Sequence, residues 1–227
     1  MPEAEASSKA KFDAYAESYD KLHQQGVAAS GEDSEYFTLY KLDCLKRLRA
    51  SGPVMDYGCG IGNLTTHLAS AFSEVHGFDP SPASVEVARK QTPGARFWSE
   101  IHGAPSEFFG TVVLSCVLHH IPPQERAETL KNALRLLQPG GRLVVFEHNP
   151  LNPLTRKVVR DCPFDDDAIL LWPRELRRRL RDAGFEQIAL SYIVFFPRFL
   201  AKLRPLEPQL SWLCAGAQTM TVGYRPG

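Results

Sequence analysis

The stretch Val54-Met55-Asp56-Tyr57-Gly58-Cys59-Gly60-Ile61-Gly62-Asn63-Leu64-Thr65-Thr66-His67-Leu68-Ala69 constrains the fold of this chain more than any other. It reads as a short apolar strand, a glycine turn and an amphipathic helix. Glycine takes positive φ without strain, and its missing side chain lets a ligand lie against bare backbone. Glycines at 58, 60 and 62, set between strand and helix, describe a surface that an extended ligand touches closely, with unpaired N–H groups at the helix start beside it.

The spacing narrows the ligand. A pyrophosphate-binding turn has the pattern G-x-G-x-x-G; here it is G-x-G-x-G, with Asp56 two positions ahead of the first glycine. A carboxylate aimed into the turn would repel a pyrophosphate and attract an ammonium or a sulfonium. This arrangement resembles the first motif of the class I S-adenosylmethionine-dependent methyltransferases, in their small-molecule branch that includes the ubiquinone and menaquinone enzymes. The resemblance implies S-adenosylmethionine as cofactor and S-adenosylhomocysteine as product, with Asp56, Tyr57, Gly58, Cys59, Gly60, Gly62 and Asn63 around it.

The rest of the chain reads as a single domain, 1–227, in four parts. Residues 1–8 are expected to be a disordered tail. Residues 9–52 form a helical lid: Phe12, Tyr15, Ala16 and Tyr19 recur at helical spacing, and Tyr36 to Leu48 marks a second helix ended by Gly52-Pro53. Such aromatic stripes fit core packing, yet 12–20 also resembles the leading helix that folds over the cofactor in this family, which makes Tyr15 or Tyr19 a lid candidate. Residues 53–148 are the cofactor-binding core, and 149–227 hold acceptor-side extensions and the final strands.

Within the core, strand and helix alternate. The strand 74–79 ends in Asp79, and Pro80-Ser81-Pro82 starts the next helix. Asp79 lies 19 positions beyond Gly60, where a parallel nucleotide-binding sheet places a carboxylate for ribose hydroxyls. A third strand covers 95–99, and the resemblance puts Ser99, Glu100 and Ile101 beside the adenine. The apolar strand 111–116 leads into Val117-Leu118-His119-His120-Ile121-Pro122-Pro123, similar to the family's fourth motif. A helix over 123–137 is stopped by Gln138-Pro139-Gly140-Gly141, and 142–147 is a fifth strand. Then come a long connection, 149–172, a basic helix, 174–183, and strands at 185–196 and 217–224.

Alternating strands and helices give a mostly parallel sheet covered on both faces. The resemblance implies a Rossmann-like seven-stranded sheet of order 3-2-1-4-5-7-6 with the last strand antiparallel. Ligands bind beyond the carboxyl ends of such strands, so the glycine turn, Asp79, Pro80, Ser99, Ser115, Cys116 and His120 should share one crevice. The extensions 149–172 and 197–211 should sit over it.

The implied reaction is in-line displacement at the methyl carbon, in which the protein aligns two molecules and excludes water. An oxygen acceptor also needs a base, for which His119 and His120 are candidates and His148 a weaker third; packing beside the cofactor is the plainer role for either one alone. Three acids at 165–167 have neither EF-hand spacing nor histidine neighbours in sequence, so no metal is expected. The basic helix interleaves its charges with leucines and acids, as a solvated face does. Cys59 and Cys116 suit packing.

Composition removes other classes. The chain carries 26 basic and 26 acidic residues, so no global field favours nucleic acid or an anionic membrane. Five dispersed cysteines without C-x-x-C spacing suit free thiols, the N-terminus lacks a signal pattern, and no run is long enough to span a bilayer. A cytoplasmic protein acting on a small-molecule or lipid-linked acceptor is expected. The segment 195–204 mixes Phe and Leu with Arg198, Lys202 and Arg204. It suits an amphiphilic acceptor with an acidic group, or else Phe199, Leu200 and Leu203 merely seat a short helix. Two other functions stay open: a catalytically silent cofactor-binding subunit, and a nicotinamide-dependent oxidoreductase, which would want the other glycine spacing and no Asp56.

Overall fold

Near-continuous apolar runs make the centre of a parallel sheet, because helices cover both of its faces. In this computed structural model, which describes residues 30–162 and 165–227, the strands are β1 (Val54–Tyr57), β2 (Val75–Phe78), β3 (Arg96–Trp98), β4 (Phe109–Ser115), β5 (Leu137–His148), β6 (Glu186–Ile193) and β7 (Gln218–Tyr224). They form one seven-stranded sheet of order β3-β2-β1-β4-β5-β7-β6, as expected. Only β7 runs antiparallel to its neighbours, so the other six strands end on the same edge. The helix expected over 9–22, with Tyr15 and Tyr19, lies outside the described residues.

Strand periodicity divides the core in two. Met55, Tyr57, Val112, Leu114 and Val145 face the layer built by helix α4 (Arg126–Leu136) and helix α6 (Pro173–Asp182), through Leu130, Leu136, Leu176 and Leu180. Val54, Val113, Val144 and Phe146 face α1 (Ser34–Arg47) and α2 (Asn63–Ala71), through Leu42, Leu45, Leu64 and Leu68. Each fully buried side chain of this size contributes roughly 1.5–3 kcal/mol. Helix α3 (Pro82–Gln91) closes the β2–β3 end with Val85 and Ala88. The arginines of α6 point away from Leu176 and Leu180, as a solvated face should.

Three segments differ from expectation. The fifth strand begins at Leu137 rather than Arg142. Gly140 and Gly141 exchange backbone hydrogen bonds with Arg225 as a bulged strand start, with Gly140 at φ 72°. The connection 149–172 contains helix α5 (Pro153–Asp161). Asn152 caps it, its side-chain oxygen accepting from Leu154 N (2.9 Å) and Thr155 N (3.1 Å), and proline fills the first turn. Fully buried Asn149 donates to the Cys214 and Gly216 carbonyls, and Asn152 donates to Ala215, so this connection is stapled to the turn before β7.

The third is the extension after β6, a 3₁₀ segment Arg198–Leu206 followed by the short helix α7 (Glu207–Leu210). Polar groups hold it. Glu207, 3% exposed, accepts from Tyr40 Oη at 2.5 Å and from Phe195 N and Phe196 N at 3.1 Å. Arg204 lies 4.3 Å above the Tyr36 ring and pairs with Glu32. Arg204 is therefore an anchor and not a rim charge, while Phe199, 84% exposed, does not seat the segment and Leu200 and Leu203 are 36% and 40% exposed. Among the described residues no helix is long and apolar enough to cross a membrane.

Candidate active site

The three turn glycines have φ of 80°, 53° and 93°, all in the region that disfavours a side chain. Their surroundings separate their roles. A Cβ on Gly58 would lie 2.5 Å from Val117 Cγ2, and one on Gly62 3.0 Å from Ala88 Cβ, so these two allow close packing. A Cβ on Gly60 would meet nothing within 4 Å. Gly60 therefore presents bare backbone to open space, as a ligand surface requires.

Asp79 organises the turn. Its Oδ2 accepts from Gly60 N and its Oδ1 from Ser81 N, both at 2.9 Å. Gly58 N and Cys59 N donate to the Phe78 carbonyl at 2.7 and 2.9 Å, so the ends of β1 and β2 and the turn form one unit. Asn63 opens α2, exposed Pro80 follows Asp79, and half-buried Ser99 follows β3 on the same edge.

Several expected contacts are corrected. Asp56 does not reach into the crevice: every residue of β1 is buried, and its carboxylate, 1% exposed, lies beneath the turn and accepts from Thr65 Oγ1 at 2.7 Å. The Tyr57 ring packs edge-on against Phe78 at 4.8 Å within the core, so its side chain does not line the crevice. Cys59 packs with Val85, Ala88 and Phe97, and burial pushes its thiol up. Ile101 is likewise core.

Burial pushes the Asp56 carboxyl up to about 6, against the pull of Thr65 and Lys41. Between the ordinary value of 3.8 and about 6, the folded protein holds a proton that the unfolded chain releases, so this group subtracts stability as pH rises through that window. Asp56→Asn keeps an oxygen for Thr65. It is expected to gain stability over the wild type from near zero at about pH 4 to about 3 kcal/mol at about pH 8. Urea unfolding of both proteins at those pH values checks this, and a difference independent of pH contradicts it.

Lys41 was not legible as a site residue. It is 8% exposed, and its Nζ donates to Ser115 Oγ at 2.8 Å and reaches Cys116 Sγ at 3.5 Å, at the end of β4. A lysine inside the apolar register of α1, between Tyr40 and Leu42, is the signal that could have marked it.

Past Cys116 (φ 59°) the chain brings three imidazoles together. The His119 ring lies 4.1 Å from that of His120 and 5.0 Å from that of His148, between centroids. His119 Nδ1 is 2.6 Å from Glu147 Oε2, and Glu147 Oε1 accepts from Leu118 N at 2.8 Å; both side chains are 1% exposed. Burial works against the charged ring, but Glu147 and Asp165 outweigh it and push His119 up to about 10. Those two carboxylates therefore favour the charged form of the ring. Burial and the neighbouring His119 charge push His120 down and His148 down to about 3. Asp165, whose acid triplet has no histidine near it in sequence, lies 3.4 Å from His120 and 3.6 Å from His119 through its Oδ1.

The chain matches the model of a family described as a methyltransferase domain over residues 32–190. It is 31% identical over 184 residues to the trans-aconitate 2-methyltransferase of Mycobacterium ulcerans, a match spanning 72% of this chain and 65% of that enzyme, less than two thirds of its length. A methyltransferase of Thermotoga maritima, described as a possible histamine N-methyltransferase, superposes with a TM-score of 0.70 at 21% identity, covering 96% of this chain and 99% of that one. The phosphoethanolamine N-methyltransferase 2 of Haemonchus contortus, solved with S-adenosylmethionine, superposes at 0.66 with 16% identity, over 95% of this chain and 60% of that one. With its glycine turn, sheet order and family match, the chain belongs to the class I S-adenosylmethionine-dependent methyltransferases.

Proposed function

We propose that this protein transfers a methyl group from S-adenosylmethionine to an amphiphilic, lipid-linked or long-chain acceptor carrying an acidic group. The cofactor supplies a methyl group on a good sulfonium leaving group. The residues fit it: open backbone at Gly60, the Asp79 carboxylate at the turn, and the buried Asp56 charge below, which favours a cation over a pyrophosphate. Asp79 is assigned to the ribose and Ser99 to the adenine side. The chain's own task is to bind both partners in line and keep water out.

The observation that carries the acceptor reading is the exposed strip on the extension after β6. Phe199, Leu200, Leu203 and Leu206 stand open beside exposed Arg198 and Lys202, and Trp212 is 76% exposed nearby in sequence. An apolar surface rimmed by cationic heads suits an acidic amphiphile. The strip follows a carboxyl end of the sheet, and adjacent residues of α1 join it to the crevice, Tyr40 bonding Glu207 and Lys41 bonding Ser115. A cytoplasmic setting accompanies this reading, since no disulfide joins the five cysteines.

A second reading, a small polar acid as acceptor, is favoured by the trans-aconitate enzyme among the relatives. Transfer of labelled methyl from the cofactor into fractionated metabolites and lipids separates the two, and a silent subunit would label neither. With the labelled acceptor in hand, Phe199→Ser with Leu203→Ser is expected to raise its KM about tenfold or more, with cofactor affinity unchanged. An unchanged KM, or a small, fully polar product, removes the amphiphile.

A further inference from the structure

We propose that His119, His120 and Asp165 form a site for a divalent transition metal of the zinc class, and that the open position of this ion takes an oxygen of the methyl acceptor. The second half rests on the methyltransferase reading; the first does not.

Spacing carries the site. His119 Nε2 and His120 Nε2 face the same Asp165 oxygen from 3.6 and 3.4 Å, and the three donor atoms all lie within 4.8 Å of one another. Tetrahedral bonds of about 2.1 Å hold two ligand atoms about 3.4 Å apart. The two histidine-to-Asp165 separations therefore already match those an ion imposes, and are too long for strong direct hydrogen bonds.

The groups behind these donors are built for the task. A ligating histidine commonly gives its second ring nitrogen to a carboxylate, which fixes the ring and aims the other nitrogen at the metal. Glu147 does this for His119 at 2.6 Å, and is itself fixed by Leu118 N. The loop carrying Asp165 is clamped to the histidine loop. Ile169 N donates to the His119 carbonyl at 2.8 Å. Arg126, 1% exposed, donates from Nη2 to the Ile169 carbonyl at 2.6 Å and from Nε to the Ile121 carbonyl at 2.8 Å. A buried arginine spent on joining two backbone segments holds residues 46 positions apart in one place.

Donor type selects the ion, and accessibility its further ligand. Two imidazoles and one carboxylate suit zinc-like ions, whereas magnesium and calcium take oxygen. Three protein ligands leave a coordination position open. The His120 and Asp165 side chains keep 14% and 12% exposure, so that position is reachable from outside. Asp165 also lines a cavity of about 560 Å³ with Asp166 and with Arg156, Lys157 and Arg160 of α5, a space beside the site that an acceptor could enter.

Calorimetric titration of zinc sulfate into the untagged, chelator-treated full chain, with neither cofactor nor acceptor present, tests the site. One equivalent is expected to bind, and His120→Ala and Asp165→Asn should each weaken it on the order of 100-fold while circular dichroism and Tm show a folded protein. Arg177→Ala, on the far face of α6, should bind as wild type. No saturable binding, or equal binding by Asp165→Asn, overturns the site, as does the alternative in which a proton on His119 alone joins Glu147 to Asp165. For the acceptor half, Asp165→Asn should raise the acceptor KM in the labelled assay with cofactor affinity unchanged. Zinc binding with an unchanged acceptor KM overturns that half, and zinc binding with no acceptor labelled refutes only the transferase reading.

Discussion

Glu147→Ala is expected to destabilise the protein by about 3–5 kcal/mol, the usual cost of removing one partner of a buried charged pair. Glu147 and His119 are both 1% exposed, and the carboxylate also accepts from Leu118 N at 2.8 Å. Its removal leaves a buried imidazolium and a buried N–H uncompensated, at the point where β4 and β5 deliver the site loops. Glu147→Gln keeps an oxygen for Leu118 and loses only the charge, so it should fall between Ala and wild type. Urea unfolding with unchanged m-values measures both. A loss below about 1 kcal/mol for the alanine variant means the pair is not formed in solution.

Replacing Asp79 should have the largest effect on cofactor binding. Asp79→Ala is expected to weaken S-adenosylhomocysteine binding by about 1.5–3 kcal/mol, roughly 10- to 150-fold. The substitution also carries a stability cost, because the Gly60 and Ser81 amides lose their acceptor. Gly60→Ala separates the two effects. Its methyl group would point into open space, so the cost to folding is only the left-handed backbone, about 1–2 kcal/mol, while the ligand surface is blocked. Normal binding by both variants would show that the ligand lies elsewhere.

What was legible in the sequence was whatever is local. The glycine spacing, the proline starts of α3 and α6 and the apolar runs of β4 and β5 each carry their geometry within a few residues, and they identified the family resemblance that implied the observed sheet order. Helix α5 was local too, since Asn152-Pro153 is a cap followed by a first-turn proline, yet in sequence it reads as part of one connection. The side-chain partners were not legible. His119 meets Glu147 across 28 positions and Asp165 across 46, and Lys41 meets Ser115 across 74. No spacing rule joins such residues; the sheet order and the Arg126 clamp do. Aim was equally hidden. Asp56 stands where a ligand contact belongs, but strand pleating turns its carboxylate under the turn to Thr65. Arg204 looks like a surface cation and is an anchor to Glu32.

The central claim is that the turn at Gly58 to Gly62 binds an adenosyl sulfonium and not a dinucleotide. Calorimetry of the wild-type chain with S-adenosylhomocysteine and, separately, with NAD addresses it most directly, with Gly60→Ala as the control. Saturable binding of S-adenosylhomocysteine at one site, lost in Gly60→Ala, with no heat from NAD, is the result the structure predicts; binding of NAD that Gly60→Ala abolishes, with no S-adenosylhomocysteine binding, would contradict it.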